Sequence, residues 1–252
     1  MAKYILNVCV TIATYTHFLF GQDITPLQAD RPDQTETPYT VPKNHFQMEN
    51  GFLFEQSDED NAYITHPSVL FKYGITDKFE LGIITEFSTA TSHNLSSFGL
   101  NPATLRFKQN ITMEDGIVPV TSFIGYLSIP HLATENQYAS YFAPAFRFTM
   151  QHTLSEKFSL GYNIGTEWDG ESPEPVFIYT ITSGYSISEN TGAYAELFGY
   201  LPQISSAQHL FDGGINYLIQ QNILIDISAG FGLNKNTLHY YSALGISFRL
   251  PD

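Results

Sequence analysis

Cysteine is all but missing: this chain of 252 residues holds one, Cys9. It falls within residues 1–21, which read as a secretory signal peptide, with Lys3 in a basic start, a mostly apolar run over 4–20 and Gly21 as the cleavage point. Leu19 is large for the small residue usual two positions earlier, which leaves the cut position open. A membrane anchor is the alternative, and Thr11, Thr14, Thr16 and His17 make it a poor spanning helix. The processed chain would carry no cysteine, so a small secreted scaffold stapled by disulfides is excluded. No glycine-rich phosphate loop and no Cys/His metal cluster is present, and neither a cofactor nor a metal is expected.

Charge is scarce as well, at 14% of residues, and there is one tryptophan although aromatics reach 15%. The 11 basic residues are outnumbered by 25 acidic ones, giving a formal net charge of -14, which argues against a nucleic-acid backbone as partner. The scarcity does not come from hydrophobic blocks. Mean hydropathy is -0.10, because Ser, Thr, Asn, Gln and Gly interleave with apolar residues, the dilution expected of strands with two different faces.

What is present is a recurring hairpin. Residues 73–82, YGITDKFELG, contain a strand end, a tight polar turn and a strand start. Gly74 supplies unusual backbone angles, and Thr76 and Asp77 bond back to nearby backbone. The same grammar returns at 152–161 (HTLSEKFSLG), 185–194 (YSISENTGAY) and 217–226 (YLIQQNILID), and more loosely at 110–118 (NITMEDGIV). A spacing of roughly 30 to 40 residues leaves room for two strands of about 10 residues, this turn and one longer loop. The pattern predicts an all-β, up-and-down antiparallel array of about twelve strands.

Residues 22–43 form a polar arm punctuated by Pro26, Pro32, Pro38 and Pro42, too broken for a helix and without strand alternation. Within it Asp30, Arg31, Asp33, Gln34 and Glu36 are denser in hydrogen-bonding groups than a linker requires. The arm is either a flexible tether or a plug folded into the barrel mouth with Arg31 paired to an inward carboxylate. The barrel is expected over 44–252, with a first strand near 45–55. An acidic loop follows over 56–61, its acids either solvated or holding a surface divalent cation. A Ser/Thr/Asn-rich loop is expected over 87–101.

Lys72, Glu80, Glu86, Arg106, Lys108, Arg147, Glu167, Glu196, Asp212, Asp226 and Arg249 all fall on the face opposite the apolar row of their own strand. A soluble sandwich would bury the apolar rows, whereas a transmembrane barrel turns them to lipid and the charges inward. Strands of about 10 residues, a strict alternation of short and long connections, and a polar face rich in Gly, Ser and Asn favour the barrel. Trp168 then sits at the membrane interface, and the eleven charges become lumen-lining candidates.

Several stretches resemble a known family, the bacterial outer-membrane proteins named for the phenol meta-cleavage degradation pathway. They are ADRPDQTE at 29–36, Val41-Pro42, QMENGF at 47–52, the hairpin at 73–82, DGGINY at 212–217, Asp226 and GFGL at 230–233. Family members often carry Pro-Thr-Gly after the fifth strand; here Pro130 precedes His131 and Leu132. The resemblance implies an outer-membrane barrel and suggests transport of small solutes, aromatic compounds by name only.

The expected protein is therefore a passive channel in the outer membrane of a Gram-negative cell, with both termini periplasmic. Its expected partners are membrane lipid and lipopolysaccharide, a small solute, and the barrel-assembly machinery through a C-terminal strand over 239–250. A closed structural or surface-interaction barrel without transport is the second reading. A lipid hydrolase is the third: Ser92, His93, His131, His209 and His239 are its raw material, without a recognisable spacing to an acid, and no catalytic residue is assigned.

Overall fold

A computed structural model describes residues 25–93, 95–235 and 237–251, so the expected leader lies outside the described residues. The chain opens with β1 (Phe46–Gln56), β2 (Asn61–Thr76) and β3 (Phe79–Ser92), followed by a short β4 (Leu95–Leu100). It continues through β5 (Thr104–Thr112), β6 (Val120–Ser128), β7 (Ala143–Thr153), β8 (Phe158–Glu167) and β9 (Val176–Ser186). The series ends with β10 (Thr191–Pro202), β11 (Gln208–Gln220), β12 (Ile223–Gly232) and β13 (Tyr240–Leu250). Neighbours in sequence pair antiparallel except that β5 pairs with β3 and not with β4, and β1 pairs with β13 over its whole length, from Phe46 opposite Leu250 to Gln56 opposite Tyr240. This last pairing closes twelve strands into a barrel and leaves β4 as an addition outside the ring.

The alternation built into each strand decides which way its side chains face, because successive residues point to opposite sides of a sheet. Ile225, Ile227, Leu244 and Ile246 are exposed on the outer surface, while Asp226, Ser228 and Ser247 on the same strands are buried. A water-soluble fold shows the reverse. Here Lys72, Lys108, Gln47, Glu49 and Glu80 are among the largest fully buried side chains, and dozens of Phe, Ile and Leu cover the outside. Such a surface matches hydrocarbon and not water. Apolar clusters inside are small: Leu27, Leu218 and Leu224 near the short turns, and Phe198, Leu210 and Tyr241 toward the other end.

Two expectations need correction. Residues 87–101 are not a loop. The upper half of β3, from Phe87 to Ser92, pairs with β4, while the lower half pairs with β5. Thr89 and Thr91 are β-branched and suit a strand, and Phe87 stacks on Phe98 at 5.8 Å. The outer edge of β4 is capped by Thr134 and Asn136, whose side chains bond Leu100 N and Phe98 O. Nor is the alternation of short and long connections strict: the first link, 57–60, is as short as the turn 187–190. Asp58 holds that link closed by accepting from the backbone of Asp60 and Asn61, both at 2.9 Å. Among the described residues no three His, Cys, Asp or Glu side chains gather as a metal site.

Candidate functional site

The arm is a loop that enters and leaves the barrel by the end carrying the short turns. On the way in, Leu27 N donates to Gln221 O and Arg249 Nη2 to Thr25 O. On the way out, Thr40 Oγ1 donates to Asp77 O, and Lys43 forms a bridge with Gly74. Between these anchors the prolines keep the chain irregular, so its backbone groups must find partners on the barrel wall. They do: Val41 N donates to Glu80, Gln34 N to Glu196, and Ser122 and Thr149 donate to the carbonyls of Pro38 and Glu36.

One side of the lumen is cationic. Lys72 on β2, Arg106 and Lys108 on β5, and Arg147 on β7 project inward from neighbouring rows. Gly82 lies in register between Lys72 and Arg106. Asp30 of the arm is the hub: one carboxylate oxygen takes Lys72 Nζ and Arg106 Nη2, both at 2.8 Å, and the other takes Lys108 Nζ at 2.7 Å. Glu36 takes Arg106 Nη2 at 2.7 Å, Arg147 Nη1 at 3.4 Å and the Tyr126 hydroxyl. The ring of Tyr126 is flanked by both guanidiniums, 5.8 and 6.0 Å from its centre. From the wall itself, Glu80 accepts from Arg106 Nη1 at 2.6 Å and Glu49 pairs with Lys72.

The facing side is acidic. Glu196 on β10 accepts from Gln34 N at 2.7 Å and from Thr35 Oγ1 at 2.5 Å. Asp212 on β11 accepts from the hydroxyls of Tyr194 and Tyr241. Asp226 on β12 pairs with Arg31 at 3.1 Å. The arm thus offers acids to the basic wall and a base to the acidic wall. Burial alone would push the Asp30 carboxyl up, but Lys108, Lys72 and Arg106 outweigh it and hold it well below the carboxylate range. Glu36 is lowered too, burial again being outweighed by Arg106. Asp33 is pushed well up, by burial and then by the negative charge of Glu196.

The arm separates the spaces at the two ends of the lumen, and a further pocket of about 130 Å³ lies beside Gln34, Leu53 and Tyr241. A vestibule of about 340 Å³ lies on the turn side, and one of about 190 Å³ on the other. Arg31, Asp33 and Glu36 line both.

The family described as "Putative MetA-pathway of phenol degradation" matches residues 29–250, which runs from within the arm to the end of the last strand. The chain belongs to this family. No curated protein sequence matches it. Among solved structures it is similar to the COG4313 outer membrane channel from Pseudomonas putida F1, with TM-score 0.72 and 11% identity over 87% of this chain and 99% of that one. The KdgM porin follows at TM-score 0.56 and 9% identity, covering 80% and 98%, and the NanC porin at 0.55 and 10%, covering 81% and 98%. At these identities the likeness establishes the fold, that of an outer-membrane β-barrel.

Within this family member, the eleven charges singled out by alternation all lie on the inner parity of their strands, though not in one site. Lys72, Arg106 and Lys108 meet at Asp30, Glu80 joins them through Arg106, and Arg147 faces Glu167 at 3.7 Å. Glu86 stands apart, bonded to Ser68, and Arg249 stays at the turn end with Thr25. Glu49, Gln47 and Tyr126 belong to the network and were not among the candidates; their positions opposite Phe46, Met48 and Phe123 carried the signal. His93 faces Asp60, His209 bonds Tyr179, and His131 packs on the ring of Tyr138.

Proposed function

We propose that the protein is a passive channel for small solutes in the outer membrane, with residues 25–43 acting as a plug within the path. The observation that carries this reading is the polar lumen, in which two vestibules meet at the same three arm residues, Arg31, Asp33 and Glu36. A passive channel needs no catalytic residue, only a wet path with tolerable electrostatics. The segregated walls set a transverse field across that path, which favours small polar or charged solutes that can reorient within it. The family description points toward phenol-type aromatics as a solute class. The channel and porins of similar fold support permeation as the activity.

In this reading the short turns face the periplasm, so both termini lie there. The outer apolar rows meet lipid and lipopolysaccharide, and β13 carries the signal for the barrel-assembly machinery. The lumen-facing charges, from Lys72 and Glu80 to Asp226 and Arg249, line the route. A closed structural barrel is the competing reading, favoured by the density of bonds that seat the arm.

Planar-bilayer conductance of the full chain and of a chain lacking residues 28–37 separates the two. Discrete openings in the full chain, and a larger and steadier conductance without the arm, support the channel. If neither protein conducts, and liposomes holding either take up no small charged or aromatic solute, permeation is rejected.

A further inference from the structure

We infer that the cationic wall is a binding site for small organic carboxylates, which the arm keeps occupied by presenting Asp30 and Glu36 in their place. This builds on the channel reading, and it concerns what the lumen recognises.

The dependence of the cations on the arm is the first ground. Lys108 Nζ bonds Asp30 Oδ1 and the carbonyls of Thr37 and Tyr39, all of them arm atoms, and its nearest wall carboxylate oxygen, on Glu80, is 4.0 Å away. Arg106 gives Glu80 one edge of its guanidinium, and its other nitrogen bonds only Asp30 and Glu36. Lys72 and Arg106 side chains are 1% exposed and Lys108 0%. Buried cations deprived of these partners must find other anions, since leaving them unpaired is costly. On the wall itself Lys72 has Glu49 and Arg106 has Glu80, but among the described residues Lys108 has no wall carboxylate closer than 4.0 Å and is paired by the arm alone.

Shape and access are the second ground. Both oxygens of Asp30 and both of Glu36 receive donors, which is the pattern of recognition for a planar carboxylate. The two groups share Arg106 Nη2, at 2.8 and 2.7 Å, so the site accepts two carboxylates held close together. Tyr126 adds a flat face and a hydroxyl between Arg106 and Arg147. The vestibule of about 190 Å³ on the side away from the turns is lined by Asp30, Glu36, Arg106, Tyr126 and Arg147. A solute arriving from that side reaches the site before it passes the arm.

An internal competitor lowers apparent affinity by the fraction of time the site is free. Calorimetric titration of succinate into the folded full chain in detergent reads this directly, with succinamide as the neutral control. The Asp30→Asn/Glu36→Gln variant should bind one succinate at least ~10-fold more tightly than the wild type, with no heat from succinamide. Arg31→Gln, which loosens the arm from the opposite wall and leaves every contact of Asp30 and Glu36 intact, should shift affinity the same way and guards against misfolding of the double variant. Equal succinate affinity in all three proteins, or equal binding of succinamide, overturns the proposal. Binding without conductance in any protein rejects the channel and keeps the site; pores without succinate binding reject the site and keep the channel.

Discussion

The guanidinium of Arg31 occupies the space that a side chain at Gly51 would need. A Cβ built on Gly51 overlaps Arg31 Nη1, and one built on Gly245, its partner across β1 and β13, falls 2.5 Å from Arg31 Nε and 2.6 Å from Asp226 Oδ2. Two glycines in register thus form a flat seat on which Arg31 reaches Asp226. Adding a methyl there moves the flexible Arg31 and not the backbone of the barrel. Gly51→Ala should leave the barrel folded and loosen the arm by about 1.4 kcal/mol, a tenfold shift toward the open state. Open probability in single-channel records checks this, with heat-modifiable gel mobility as the folding control.

Asp30 ties three buried cations together. Asp30→Ala takes away their shared anion and leaves Lys108 without a close carboxylate, and breaking a buried network from one side costs about 3 to 5 kcal/mol. Removing a partner as well, in Asp30→Ala/Lys108→Met, should recover part of that loss, because fewer charges are then left unpaired. Denaturant unfolding of the two single variants and the double variant measures the coupling. Additive losses would mean that Asp30 and Lys108 do not act as a unit.

The arm also carries a pH dependence with a definite sign. Asp33 is raised, so it favours the seated arm below its unfolded value of about 3.9 and loses that contribution as pH rises through its higher folded value. Asp30 is lowered, so its contribution is present above the unfolded value and is lost only as pH falls through its very low folded one. As pH falls through the raised folded value of Asp33, therefore, Asp33 gains a proton while Asp30 stays charged, and the arm seats more firmly. Openings should become rarer as pH drops through this window, and Asp33→Asn should flatten the response.

The outer face makes a separate prediction. Ile227 is 61% exposed and stands opposite Leu244, which is 55% exposed. If hydrocarbon covers them, Ile227→Arg should destabilise the barrel by about 2 to 4 kcal/mol, whereas a residue facing water would tolerate the change. Unfolding in lipid vesicles gives the comparison, with Ser228→Ala on the inner face as the control.

Much of the architecture was legible in one dimension because a strand repeats every two residues. Lys72 between Phe71 and Tyr73, or Asp226 between Ile225 and Ile227, declares its face without reference to the rest of the chain. The hairpins were legible for a similar reason, since Thr76 accepts from the backbone of Lys78 within its own turn. The region 87–101 misled because Ser, Thr and Asn serve loops and wet strands alike, and pairing of Thr89 with Phe98 is settled between strands. Glu49 was passed over although its parity was plain, because its importance depends on Lys72, which comes to it from the next strand.

The order of residues alone determined that there are two faces, roughly how many strands carry them, and which charges share the polar one. Those are local properties, fixed by backbone pleat and turn chemistry. Closure of β1 on β13, the course of the arm through the lumen, and the meeting of Asp30 with Lys72, Arg106 and Lys108 belong to the tertiary structure. Residues up to 78 positions apart come into contact there only because the ring has closed, and a buried charge takes its partner from whatever the closed wall presents.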